Sequence, residues 1–223
     1  MKKLTRKKVN AVKALVWTKG ICLKHTGKME GMNSISTSCK ENPYCIAMHS
    51  VKGSVCEKCY AQAQLSYQKT TAEKYAGSTL DLTSRLLAFE EIPTLNHEYG
   101  VFRLEAFGEL NNTIQVMNYF SICEKNPHLN FALWTKRPEL IKEVLNLGIS
   151  KPENINIIQS TVMINGMPEI GKYDFIDGYF SVYTKEYAIE HNIKINCGSR
   201  KCLECLECYD YHDGIFIINE LLK

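Results

Sequence analysis

Short apolar blocks alternate with polar ones along most of the chain, and the period of each block separates strand from helix. Residues 33–37, Asn-Ser-Ile-Ser-Thr, read as a weak strand that runs straight into Cys39. Residues 61–68 and 82–91 read as helices, the second aligning Leu82, Leu86, Leu87 and Ile92 along one side. Residues 101–107 are a short strand of alternating apolar positions. Residues 113–125 are helical, with Ile114, Met117, Phe120 and Cys123 at core-facing spacing. The strand at 129–134 ends on Thr135-Lys136-Arg137. Pro138 then opens a helix through Leu147, at the position where its missing N–H costs nothing. Residues 155–159 and 178–182 are strands, 185–191 a short helix, and 193–195 a last short strand.

Six strands, mostly separated by helices, predict an α/β fold with a parallel sheet. Six such units make a partial, open (β/α)6 barrel rather than the closed eight-unit one. The expected organisation is this barrel over residues 1–196, carrying a cysteine loop at 39–59. A cysteine-rich segment at 197–223 packs on it.

The length of 223 residues suits one α/β domain with a single large core. A hydrophobic share of 45% and a charged share of 23% are those of a soluble globular protein. The formal charge of +3 is too small to announce a nucleic-acid binder and does not exclude one. Cysteine is the outlier, with ten residues. Residues 1–20 begin with Lys2, Lys3, Arg6, Lys7 and Lys8, as an export signal does. The following apolar stretch is broken by Asn10 and Lys13, and no small-residue cleavage site follows. No stretch approaches the roughly 20 apolar residues of a membrane span. The expected compartment is therefore the cytoplasm, where thiols stay reduced and clustered cysteines read as metal ligands before disulfides.

The first set is Cys39-x5-Cys45-x10-Cys56-x2-Cys59. A C-x2-C pair brings two thiolates to one metal from a tight turn, and distant partners complete the site. Spacing alone leaves zinc and iron–sulfur equally open here. Its position after the first strand, at the carboxyl end of the expected sheet, is where α/β proteins keep active sites. The second set, Cys197-x4-Cys202-x2-Cys205-x2-Cys208, has two successive C-x2-C steps and a nearby fourth cysteine. That pattern favours a 4Fe–4S cube over zinc, as a staple or as an auxiliary centre.

Cys56-Glu57-Lys58-Cys59-Tyr60-Ala61 resembles the C-x2-C-Y-A signature of phage iron–sulfur proteins of the "gene product 88" kind. Those proteins are in turn similar to the radical S-adenosylmethionine superfamily. Trp134-Thr135-Lys136-Arg137-Pro138 resembles a T-K-R-P element of related phage proteins. The run from Cys197 to Tyr209 resembles that family's ending. Residues 102–109, Phe-Arg-Leu-Glu-Ala-Phe-Gly-Glu, resemble the strand end where radical enzymes keep a Gly-Gly-Glu/Asp turn, with Phe107 at its first glycine.

The resemblance implies a radical-type partial barrel with one or two 4Fe–4S clusters. It implies S-adenosylmethionine at the first, held by Cys45, Cys56 and Cys59 with Cys39 as a fourth or alternative ligand. Gly108 and Glu109 would hold the methionine amino group. A phage-encoded chain would work in the host cytoplasm on a substrate the sequence does not identify, with an electron donor such as flavodoxin or ferredoxin. The radical pattern is C-x3-C-x2-C, which leaves one iron open. If all four cysteines of the first set bind, the open position is lost, and the alternative is a non-catalytic iron–sulfur protein for electron transfer, binding or structure. A double zinc module on nucleic acid is a third reading.

Smaller signals complete the picture. Lys136 and Arg137 could clamp a carboxylate or phosphate at a strand end. Gln159-Ser160-Thr161 offers polar groups toward the same side, and Glu105 could face the barrel interior. Cys123 reads as core and Cys22 as a free thiol. The six histidines show no ligand spacing among themselves. Tyr60, Tyr209 and Tyr211 are expected to shield the cysteine loops from water.

Overall fold

The computed structural model describes residues 17–23 and 25–222, so the basic opening stretch weighed above as an export signal lies outside the described residues. Its strands join in chain order into one sheet: β1 (Ile21–Cys22), β2 (Ser34–Ile35), β3 (Val101–Leu104), β4 (Asn130–Thr135), β5 (Ile155–Ser160), β6 (Gly178–Tyr183) and β7 (Phe216–Leu221). β1 runs antiparallel to β2, and every later neighbour is parallel, in registers such as Phe102 beside Phe131 and Leu133 beside Ile157. The helices are α1 (Pro43–His49), α2 (Tyr60–Tyr67), α3 (Lys69–Ser84), α4 (Thr113–Lys125), α5 (Pro138–Asn146), α6 (Lys185–Glu190) and α7 (Cys202–Cys205). None is long and apolar enough to cross a membrane.

Strand alternation divides the sheet into two packed faces. Phe102, Leu104, Phe131, Leu133, Ile157 and Tyr179 point to one face and pack with apolar residues of α3, α4 and α5. Val101, Ala132, Ile158, Phe216 and Ile218 point to the other, against Met32, Leu203, Leu206 and Tyr209. The cysteine-rich tail therefore lies directly on the sheet. The tail also supplies the last strand, and the close fit of β7 to β6 depends on Gly178, where a Cβ would sit 2.6 Å from the Phe216 ring.

Sequence periodicity misplaced several boundaries, each for an identifiable reason. Of the helix expected at 82–91 only 82–84 is helical, as the last residues of α3, and Arg85 is already extended. Asn118 on α4 imposes that end: its amide nitrogen donates to the carbonyls of Leu82 and Arg85, and its oxygen accepts from Leu87 N–H, each at 2.8 Å. Leu82, Leu87 and Ile92 still reach the core, while Leu86 is exposed. The strand expected to reach Phe107 stops at Leu104, because Glu105 turns left-handed at φ 53°. The α4 stripe is also shifted, with Val116, Tyr119, Phe120, Ile122 and Cys123 buried. No strand forms at 193–195. Instead Asn196 and Cys197 donate backbone N–H groups to Asn219 O, which draws this stretch onto β7.

Asn118→Ala should lower unfolding free energy by ~2–3 kcal/mol, since it strands buried backbone groups. Chemical denaturation of the reduced protein measures the loss.

Candidate metal centres

The first cysteine loop starts where β2 ends, at the carboxyl edge of the parallel strands. Asn42 caps α1 by accepting from Tyr44 N–H (2.9 Å) and Cys45 N–H (3.3 Å), with Pro43 at the first helical position. Cys59 stands at the N-cap of α2. The segment between is pinned from across the sheet: Val55 N–H donates to Val162 O and Ile164 N–H to Gly53 O, each at 3.0 Å, beside a Ser54–Met163 bridge. Sequentially distant cysteines are thereby brought together. Cys39 packs in one cluster with Cys45 and Cys59, and Cys59 lies beside the Ala61 and Gln62 amides at the start of α2.

These contacts set the acidity of the thiols. The neighbouring Cys39 thiol and the α2 amides pull Cys59 down, while Cys59 and burial push Cys39 well up. Burial and Glu109 raise Cys45, and burial raises Cys56 against the pull of the Lys136 ammonium. A cleft of about 350 Å³ lined by His49, Lys58, Cys59, Gln62 and Ser66 opens beside the loop.

Two carboxyls hold the strand ends beneath this loop. Glu105, only 4% exposed, accepts from Thr37 Oγ1 (2.9 and 3.0 Å), Thr37 N–H (3.3 Å), Gln115 Nε2 (2.6 Å) and the Tyr119 hydroxyl. Burial outweighs these donors and pushes its carboxyl up to about 8. Glu109 accepts from the Thr135 hydroxyl and from the N–H groups of Leu110 and Lys136, both at 2.8 Å. Its backbone oxygen takes the Asn42 amide at 2.8 Å.

Gly108 has an internal reason to lack a side chain. At φ 85°, a Cβ there would lie 2.4 Å from Thr37 Oγ1 and 2.7 Å from Glu105 Oε2. The Lys136 charge reaches Cys45, Cys56 and Cys59. Arg137 is committed to Leu110 O, Asn111 O and Glu139, so it is not a free anion clamp. Ser160 is buried at the end of β5.

The tail set crosses the other face of the sheet from end to end. Cys197 bridges Glu220 toward the carboxyl end of β7, while Asn156 near the amino end of β5 donates to Cys208 O (3.1 Å) and Asp210 O (2.8 Å). Cys202 opens the one-turn α7, which Leu206 closes in a left-handed conformation. Cys202 and Cys208 both feel the charge of Cys197 and Cys205. Three cations serve them: Lys28 donates to Cys197 Sγ (3.0 Å), Arg200 approaches Cys205 Sγ (3.5 Å), and the Arg103 charge reaches Cys202 and Cys208. Burial still pushes Cys208 up to about 12.

No protein-family model, curated protein or solved structure matches the chain. Among the described residues, no three His, Cys, Asp or Glu side chains already stand as a coordination group. The donor chemistry of both sets is nonetheless that of iron–sulfur or zinc ligation: four half-buried or buried thiols apiece, with cations alongside.

Cys123 is core, as its helix position suggested, and Cys22 lies in β1. Tyr209 is buried over the tail set. Tyr60 and Tyr211 are exposed, 62% and 91%, with the Tyr60 hydroxyl donating to Ala106 O at 2.6 Å. Thr37, Gln115, Tyr119, Lys28 and Arg103 escaped the sequence reading, because their partners lie on other elements. Only the unusual Glu105 in an apolar strand hinted at the first three.

A carboxyl held near 8 when folded, against about 4.5 when unfolded, stabilises the protein below both values and loses that contribution as pH rises between them. Glu105→Gln should therefore gain stability relative to wild type as pH rises from about 4.5 to 8. Denaturant titrations at several pH values measure the difference.

Proposed function

We propose that the chain is a two-centre iron–sulfur protein of the radical S-adenosylmethionine type, acting on a substrate still to be identified. The observation that carries the reading is the convergence of two four-cysteine sets, far apart in sequence, on a single sheet. The first lies at the carboxyl ends of the parallel strands, where such sheets keep their chemistry. Six parallel strands in chain order are also the order of a partial β/α barrel. A 4Fe–4S cluster on the first set would supply one-electron reduction of the sulfonium of S-adenosylmethionine.

The chain's own groups prepare that site. Cys59, held as the most acidic thiol of its set, is the readiest ligand at neutral pH. Lys136 adds a cation beside Cys45, Cys56 and Cys59. Glu105 and Glu109 fix the strand-end backbone, and the β5–β6 segment clamps the loop from above through Val162 and Ile164. On the tail, Arg103 counters thiolate charge, and Lys28, paired with Glu220, donates to Cys197 Sγ.

Two observations favour the non-catalytic reading, in which four cysteines close the first centre. Cys39 packs in the same cluster as Cys45 and Cys59, and its thiol and that of Cys59 shift each other's acidity. The Glu109 carboxylate, the expected partner of a methionine amino group, already accepts three internal hydrogen bonds.

Iron and sulfide analysis of anaerobically reconstituted protein separates the metals: roughly eight iron per chain is expected, four for each cube. Cys205→Ala should lose about half of it. A colourless protein that takes zinc and no iron sinks the reading.

Cys39→Ala separates enzyme from carrier. If three thiolates suffice, the variant keeps the first centre, and the reduced wild type releases 5′-deoxyadenosine from S-adenosylmethionine. Loss of that centre in the variant, together with no 5′-deoxyadenosine from wild type, establishes the closed, non-catalytic centre instead.

A further inference from the structure

Arg103 keeps unusual company for a charged residue in the middle of a sheet. It lies on β3, on the face that receives the tail, with its guanidinium carbon 4.1 Å from the centroid of the Trp134 ring. Its charge also reaches Tyr209, a buried residue of the tail, and its Nε is buried without an acceptor. Among the described residues, no carboxylate stands within ion-pair distance of it. Its field falls instead on Cys202 and Cys208, and on Tyr60, the residue after Cys59.

A cation drawn partly out of water without a counter-ion is costly, and stacking on an indole returns only part of that cost. The arrangement is stable where negative charge lies alongside. The cysteines of the tail supply that charge once they are thiolates holding a cluster. The other two cations of this set are held differently. Lys28 is already neutralised by Glu220 at 2.9 Å, and Arg200 is exposed to solvent.

We propose that Arg103 is a positioning residue of the tail centre: its fixed charge, pinned on Trp134 beside Cys202 and Cys208, stabilises the reduced, more negative form and raises the reduction potential. The proposal rests on the two-centre iron–sulfur reading. Reduction adds one electron from a donor in solution and breaks no bond. Arg103 takes up no proton, because a guanidinium stays charged at every working pH. Net charge and hydrogen bonding around the sulfurs are established means of tuning such centres.

The test uses the full chain, reconstituted anaerobically with iron and sulfide and titrated with dithionite. The tail signal in electron paramagnetic resonance is assigned by its loss in Cys205→Ala. Arg103→Met should make that centre about tenfold harder to reduce, ~59 mV lower for one electron. Iron content and the first signal should stay as in wild type, and Arg103→Lys should restore most of the shift.

Loss of tail iron in Arg103→Met alone, with Arg103→Lys at the wild-type potential, also supports the charge requirement. An unshifted potential in iron-replete Arg103→Met overturns the proposal. So does a shifted Arg103→Lys that matches Arg103→Met, or equal loss of tail iron in both, which makes Arg103 a packing residue. Wild-type protein that takes zinc and no iron overturns the two-centre reading itself and the proposal with it.

Discussion

The knot around Glu105 ties together the parts from which the first cysteine loop is launched. At the end of β3 a bulky residue adopts a left-handed backbone, a conformation that costs of order 1–3 kcal/mol. Its carboxyl turns under the strand end and gathers Thr37 from the end of β2 together with Gln115 and Tyr119 from α4. Hydrogen bonds to such a group, worth roughly 1 kcal/mol each and more when it is ionised, offset the strain. Thr37 stands two residues before Cys39, so the same knot fixes where the loop departs. Gly108 then crosses so close to Thr37 that no side chain fits. One turn further on, Glu109 repeats the device, joining the ends of β3 and β4 and, through its carbonyl, the cap of α1.

The tail depends on a different constraint, the register of β7 on β6. Because β7 lies parallel to β6, the chain must return from the carboxyl end of β6 to the amino end of β7 before pairing. A helix usually covers that return on the outside of a sheet. Here α6 makes one short pass, and the remaining residues cross the sheet face carrying all four tail cysteines. Their apolar neighbours, Leu203, Leu206 and Tyr209, bury against Val101, Ala132 and Ile158. The tail thus serves as both crossover and core, which explains why it is dense in cysteine yet short of regular structure.

Much of the sheet was legible because its strands are apolar and bounded by turn residues. The helix at 113–125 came through with its bounds intact and the one from Pro138 with a single extra residue, since Pro138 is a strong start signal. What failed was whatever depends on side chains from elsewhere. Periodicity at 82–91 was genuine burial, but Asn118 captures the carbonyls that a helix would need. The short run at 193–195 has strand composition and no free partner, because β7 occupies the place beside β6. The cysteine sets were visible from spacing. Their electrostatic surroundings were not, because Lys28 and Glu220 stand 192 residues apart in sequence.

Identical ligands can serve different chemistry only through their surroundings. The first set lies near the Glu109 carboxylate; burial and that charge push the Cys45 thiol up, and Lys136 is the opposing cation. The tail set lies near Arg103 and Arg200, with Lys28 paired to Glu220. Added negative charge is therefore less welcome at the first set and better tolerated at the tail, by the sign of Coulomb interactions in a partly dry site. Under the two-centre reading, this asymmetry makes the first centre the stronger reductant. A sulfonium is a reluctant electron acceptor and needs a strong reductant beside it, whereas a supporting centre has to take up an electron readily. The charges around the two loops are distributed in the sense that such a division of labour requires.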